Sequence, residues 1–264
     1  MEELIVVKIG GNIIDDETAL RAFLADFASI STNKILVHGG GRLATELSTK
    51  LGIETHMVDG RRITDADTIR IVTMTYAGWI NKNITAVLQS LECDAIGLCG
   101  ADGKIIPAVK RPVKEIDYGW VGDIEQDKVN VAFLGQLIEN GYTTVVAPIT
   151  ADKDGNLLNV NADTIAQVLA QALSPFYTTT LIYCFEKNGL LLDVADSASV
   201  VEEINSRYAD DLKKSGAITN GMIPKIDNAF RAIESGVHNV AMGHAANIKQ
   251  MVSGKKGYGT YFKA

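Results

Sequence analysis

Six short apolar runs rich in β-branched residues recur along this 264-residue chain and set its fold class. They are "LIVVKI" (4–9), "KILVHG" (34–39), "DAIGLC" (94–99), "TTVVAPI" (143–149), "TTLIYCF" (179–185) and "HNVAMG" (238–243). A strand with one wet face alternates apolar and polar residues. Near-continuous apolar runs of this length are strands covered on both faces, the habit of parallel sheets. Helical periodicity lies between them. "DDETALRAFLADFASI" (15–30) opens on acids and repeats Leu20, Phe23, Leu24 and Phe27 on one face; "ADTIAQVLAQAL" (162–173) repeats Ile165, Val168, Leu169 and Leu173. "VAFLGQLIENG" (131–141) and "MIPKIDNAFRAIESG" (222–236) each end in a glycine suited to a helix C-terminus. Strand and helix alternate, which predicts an α/β protein: an open αβα sandwich on a mainly parallel central sheet. The middle departs from that rhythm. "DGKIIPAVKRP" (102–112) and "IDYGWVGDIEQDKVN" (116–130) read as short strands joined by turns, a hairpin at one edge. With no repeat and no polar linker, any two lobes should share one sheet or a tight interface.

The net charge of -7 and pI near 5.2 argue against nucleic-acid partners and against docking on anionic lipid. They leave room for a local cationic site. No apolar run is long enough to cross a bilayer. The first residues, Met1-Glu2-Glu3, are acidic where a secretory signal is basic. Cys93, Cys99 and Cys184 are scattered, with neither disulfide nor zinc spacing, and read as buried reduced thiols in a cytoplasmic protein.

Four clusters could carry chemistry. In the first, Lys8 closes an apolar run beside Gly10 and Gly11. Alone, such a lysine is more often a snorkelling residue at a strand end. The second is "VHGGGRLATEL" (37–47): a strand, three glycines, then a helix. Backbone N–H groups at such a turn favour an anion. Its G-x-G-x-x-A spacing also fits a dinucleotide loop, but the acidic partner is missing; Asp59 lies at a plausible distance in a polar stretch. There is no Walker A sequence. The third is "NVNADTIA" (159–166), where Asn159, Asn161 and Asp163 open a helix; an N-cap accounts for one of them, Asn161 or Asp163, not for all three. In the fourth, "AITNGMIPKIDNA" (217–229), Lys225 sits in a first turn, where the helix dipole disfavours a cation. Arg61 and Arg62 offer a fork for a carboxylate. The four histidines fit no metal set, and His38 beside the glycines reads as structural or as an orienter.

Together "KIGGN", "VHGGG", "DGRRIT", "NKNI", "NVNAD" and "ITNGMIPK", in this order and across almost the whole chain, resemble the acetylglutamate kinases of the amino acid kinase superfamily. The resemblance implies phosphoryl transfer from ATP, with Mg2+, to the side-chain carboxylate of an N-acylated glutamate in arginine biosynthesis. It implies an N-terminal lobe, 1–175, for the amino-acid substrate and dimerisation, and a C-terminal lobe, 176–264, for ATP. By motif position, Lys8 and Lys225 would flank the phosphoryl group, and Asp163 would hold both lysines. Gly11, Gly40 and Gly41 would give N–H groups to the phosphate, and Gly40, Gly41, Arg62 and Asn159 would bind the acylglutamate. Some positions differ from the family. Phe185, Glu186 and Lys187 stand where a small polar residue, an aspartate and a small residue are expected. Asn220 replaces a common aspartate. Trp79 replaces a smaller residue near the expected acyl pocket, which opens acyl groups such as succinyl. An N-terminal helix found in arginine-inhibited hexamers is not seen ahead of the first strand, which suggests a homodimer insensitive to arginine. Other readings are a carbamate, aspartate or glutamate 5-kinase, an NAD-dependent oxidoreductase using "GGGRLA", and a non-catalytic sensor on the same fold.

Overall fold

The computed structural model describes every residue except 59, 194, 197, 198, 217, 219–221 and 264. Asp59 and Asn220 therefore lie outside the described residues. The strands run β1 (Glu3–Ile9), β2 (Asn33–His38), β3 (Met57–Val58), β4 (Arg61–Arg62), β5 (Ala95–Cys99), β6 (Ala108–Lys110), β7 (Gly122–Ile124), β8 (Thr143–Ala147), β9 (Ile149–Ala151), β10 (Leu157–Asn159), β11 (Thr178–Phe185), β12 (Glu203–Ile204), β13 (Asn239–His244) and β14 (Thr260–Phe262). Eight form one sheet in the order β12-β14-β13-β11-β1-β2-β8-β5. Every pairing in it is parallel except β13 with β14. The pairs β3–β4, β6–β7 and β9–β10 are antiparallel ribbons outside that sheet. The expected hairpin over the middle is β6–β7. Strands from both halves of the chain share the sheet, since β1 pairs directly with β11.

The helices are α1 (Gly11–Asp15), α2 (Glu17–Ala28), α3 (Gly41–Lys50), α4 (Ala66–Thr73), α5 (Asn81–Ser90), α6 (Val131–Glu139), α7 (Ala162–Leu173), α8 (Ser206–Ser215), α9 (Ile223–Glu234) and α10 (Ile248–Val252). Strand parity sorts the core into two layers. Leu4 and Val6 of β1 and Leu181 and Tyr183 of β11 face Ile165 and Leu169 of α7 and Ile226 of α9. Ile5, Val7 and Ile9 face the other way, onto Phe23 and Leu24 of α2 and Ile84 of α5. All three cysteines are free and buried. No described helix is long and apolar enough to cross a membrane.

Capping distinguishes two kinds of helix start. Asp16, Asp65, Asn130, Asn161 and Asn205 each accept a backbone N–H at the start of α2, α4, α6, α7 and α8. The helices α1, α3 and α9 begin with no side-chain cap. Their first N–H groups have no intrahelical partner. For α7 the cap is Asn161, whose Oδ1 accepts from Asp163 N at 2.7 Å. This frees the Asp163 carboxylate for another task.

The turn after β2 is held from behind by His38, which is fully buried. Its Nδ1–H donates to the Gly39 carbonyl at 2.9 Å. Its Nε2 accepts from Asn81 Nδ2 at 3.2 Å, and the same amide donates to Val145 O at 3.0 Å. Burial without a counter-charge pushes the His38 pKa down from 6.5 to about 4. Between those values the unfolded chain binds a proton that the folded chain refuses. The stabilisation is whole above pH 6.5 and is lost as pH falls toward 4. His38→Gln removes this dependence. The stability gap between wild type and His38→Gln, from urea unfolding, should narrow by about 2 kcal/mol between pH 6.5 and 5. Asn161→Ala should lower unfolding free energy by about 1 kcal/mol in the same assay, with most of it restored by Asn161→Ser.

Candidate functional site

Lys8 is the last but one residue of β1, and its parity points it to the layer that holds α7. Asp163 lies in the first turn of α7. Their side chains meet at 2.7 Å, Lys8 Nζ to Asp163 Oδ1, with 15% and 19% of each exposed. The strand thus ends in a partly desolvated cation with a fixed counter-charge. A Cβ on Gly10 would stand 3.8 Å from Lys8 Nζ, so the ammonium lies against the first glycine turn.

The two glycine turns touch. β1 and β2 are neighbouring parallel strands, paired from Leu4 with Asn33 to Ile9 with His38. Gly39 N donates to Ile9 O at 3.1 Å, and a Cβ on Gly39 would lie 3.9 Å from Gly11 N. Gly40 has φ of 140°, open to glycine alone, and a Cβ there would collide with Ile80 Cδ1. The uncapped starts of α1 and α3 therefore leave adjacent carboxyl ends of one sheet, the place and polarity for an anion.

Arg62 borders this cradle. It is 7% exposed, and its Nη2 donates to Gly41 O and Thr45 Oγ1 at 2.8 Å each, while Nη1 donates to Thr55 Oγ1 at 3.1 Å. Thr64 Oγ1 donates to Arg62 O at 3.0 Å and accepts from Asn159 Nδ2 at 3.1 Å. One network therefore joins Arg62 and Asn159, which lie far apart in sequence. Arg61, the other half of the expected fork, is exposed.

Lys225 is placed differently from Lys8. Among the described residues it makes no ion pair with Asp163 or any other acid. Its Nζ stands 5.2 Å from the centroid of the Phe185 ring, at the end of β11. The next residue, Glu186, accepts from Asn12 Nδ2 at 2.9 Å, a contact between the ends of β11 and β1.

Several residues at the site have no signal in the sequence. Asn12 and Thr45 follow the glycine turns closely, but nothing local marks them as contacts. Tyr76 packs beside Gly40 and Gly41; burial raises its pKa, and the nearby Arg62 cation opposes that rise. It belongs to a seven-residue π-helical stretch, Met74–Ile80, between α4 and α5. That wider turn, a form frequent at functional sites, sends Tyr76 and Ile80 inward and leaves Trp79 68% exposed. The aromatic residue facing the glycines is Tyr76, and Trp79, expected near the acyl pocket, points outward.

Comparison with known proteins agrees with this architecture. Residues 3–244 match the amino acid kinase family. A protein of Cytophaga hutchinsonii named acetylglutamate kinase is 53% identical over 261 residues, 98% of each chain. One of the same name from Bacteroides thetaiotaomicron is 52% identical over 94% of this chain and 96% of its own. Among solved structures, an N-acetylglutamate synthase from Neisseria gonorrhoeae superposes on 99% of this chain and 59% of its own, with a TM-score of 0.83 at 20% identity. Carbamate kinase from Giardia lamblia superposes on 99% of this chain and 98% of its own, with a TM-score of 0.70 at 14% identity. Those two likenesses are of fold. From the family match and the near full-length identity, the chain belongs to the acetylglutamate kinase family, within the amino acid kinase superfamily.

Proposed function

We propose that the protein transfers the γ-phosphoryl group of ATP to the side-chain carboxylate of N-acetyl-L-glutamate, a step of arginine biosynthesis. The observation that carries the reading is the Lys8–Asp163 pair at the junction of two uncapped glycine turns. Phosphoryl transfer asks little covalent work of a protein; it asks for alignment and for positive charge on the phosphoryl oxygens. The N–H groups of Gly11, Gly40 and Gly41 would hold the phosphoryl group where no side chain intrudes. Lys8 would neutralise one end of the in-line transfer and Lys225 the other. Asp163 would keep Lys8 aimed and its charge compensated before substrate arrives. Arg62 and Asn159 would fix the acylated amino acid through their shared network. The acceptor carboxylate is ionised at pH 7, so no general base is needed. His38, neutral and engaged at both ring nitrogens, fits an orienting role.

Residues 1–175 would form the amino-acid lobe and residues 176–264 the nucleotide lobe, with the phosphoryl group between β1 and β11. Among the described residues no group of three His, Cys, Asp or Glu side chains converges on a possible metal position. A Mg2+ ion would arrive on the triphosphate, which supplies its phosphate ligands.

Lys8→Ala and Lys225→Ala should each lower kcat by roughly 10²–10³-fold in a coupled ADP-release assay, with unchanged circular dichroism spectra. Parallel runs with N-acetylglutamate and N-succinylglutamate fix the acyl preference, and no turnover on either would sink the assignment.

A homodimer is part of the proposal. The face that offers itself carries exposed Met74 and Leu157, which line a cavity of about 670 Å³ with Ile69 and Trp120. Trp79 is exposed further along the same helical run. Sedimentation should give the mass of two chains for wild type and of one chain for Met74→Glu with Leu157→Glu; a monomeric wild type would refute it.

A further inference from the structure

We infer that Phe185 is a positioning residue for Lys225, its ring standing in for the carboxylate that the second cation lacks. The inference rests on the proposed phosphoryl transfer. Lys225 lies in the first turn of α9, a helix with no side-chain cap, where the dipole repels a cation. Two other lysines of the protein are paired with acids: Lys8 with Asp163, and Lys213 of α8 with Asp210 and Asp227. Among the described residues Lys225 makes no ion pair. The acid nearest along the chain to its ring contact, Glu186, is engaged by Asn12. What faces the Lys225 ammonium is the Phe185 ring, 5.2 Å away at its centroid.

The position of that ring is fixed by the fold. Phe185 is the last residue of β11, and its ring packs partly buried against the core layer that also receives α9. β11 is itself held in register between β1 and β13. The ring is short and rigid, and it holds no charge. This matters for a cation that must meet a phosphoryl group. A carboxylate would neutralise the ammonium and compete with the phosphoryl oxygens for its N–H groups. An aromatic face attracts the ammonium through its quadrupole and leaves both charge and donors available. The aromatic residue at position 185 thus has a physical consequence: one cation is held by charge and the other by a ring.

The test uses the full-length chain with Phe185→Leu, Phe185→Met and Phe185→Trp. Steady-state kinetics with N-acetylglutamate and ATP are combined with the rate at which Lys225 is acetylated by an amine-reactive ester without substrates, read by peptide mass spectrometry. We expect Phe185→Leu and Phe185→Met to lower kcat about tenfold, with both KM values within about twofold of wild type. Both should speed the modification of Lys225 without changing that of Lys8, and Phe185→Trp should restore kcat and protection together. Thermal melting selects the folded variants, and Met or Trp decides if Leu fails to fold. Wild-type kcat in the Leu and Met variants, equal loss in the Trp variant, or a raised KM for ATP at unchanged kcat would each overturn the inference; the last would assign the ring to the nucleotide. A wild type that phosphorylates no acylglutamate would refute the proposed function instead, while the modification rates would still decide whether the ring holds Lys225.

Discussion

The site depends on β1 lying between β2 and β11 in a fixed parallel register. Both faces of β1 are buried, with Leu4 and Val6 in one layer and Ile5, Val7 and Ile9 in the other. A slip of one residue would exchange the two sets and move Lys8 into the layer of Phe23 and Leu24, away from Asp163. Hydrophobic burial therefore sets the aim of a charged side chain. The same register brings Ile9 O to Gly39 N, so the strand that carries the lysine also braces the second glycine turn. Cation and anion cradle are two ends of one packing constraint.

The Lys8–Asp163 pair is better understood as a placed charge than as a source of stability. Removing two charges from water costs about as much as their attraction returns. Its value lies in preorganisation: the ammonium is already desolvated and aimed before an anion arrives. Capping follows the same division of labour. Asn161 accepts the N–H of Asp163 and so caps α7 while leaving the Asp163 carboxylate to Lys8; α2, α4, α6 and α8 also carry side-chain caps. Uncapped starts include those of α1, α3 and α9, beside the glycine turns and Lys225; the short α10 and α5, which continues the π-helical stretch, also lack a side-chain cap. A capped start spends its N–H groups on its own side chain; an uncapped one keeps them for a ligand.

Much of this was legible in the sequence, for identifiable reasons. Strands covered on both faces need continuous apolar runs, so all six expected runs emerge as strands of the central sheet. Glycines at the ends of two such runs mark the cradle. Legibility fails where the period breaks or where a contact is made only by the tertiary fold. The π-helical stretch Met74–Ile80 adds backbone to each turn and shifts the helical phase, which is why Tyr76 faces the glycines while Trp79 faces outward. The bond between Asn12 and Glu186 joins residues 174 apart in sequence, and no local pattern announces it. The short outer strands β12 and β14 and the ribbon β9–β10 carry too few residues to establish a period. Asn161 and Asp163 were equal candidates for one cap until the fold brought Lys8 to the second.

A protein with a net charge of -7 must still draw in two anionic substrates. Bulk charge cannot do this, and local geometry can. Lys8, Lys225 and Arg62 come from β1, α9 and β4, and two uncapped helix starts add partial positive charge between the first and the last. His38 could have contributed another cation beside the glycines, yet burial and bonds at both ring nitrogens keep it neutral at physiological pH. A protonated ring there would lose the bond that Asn81 donates to Nε2. The fold thus keeps permanent charge on side chains around the glycine turns, and rigidity on the histidine that supports them.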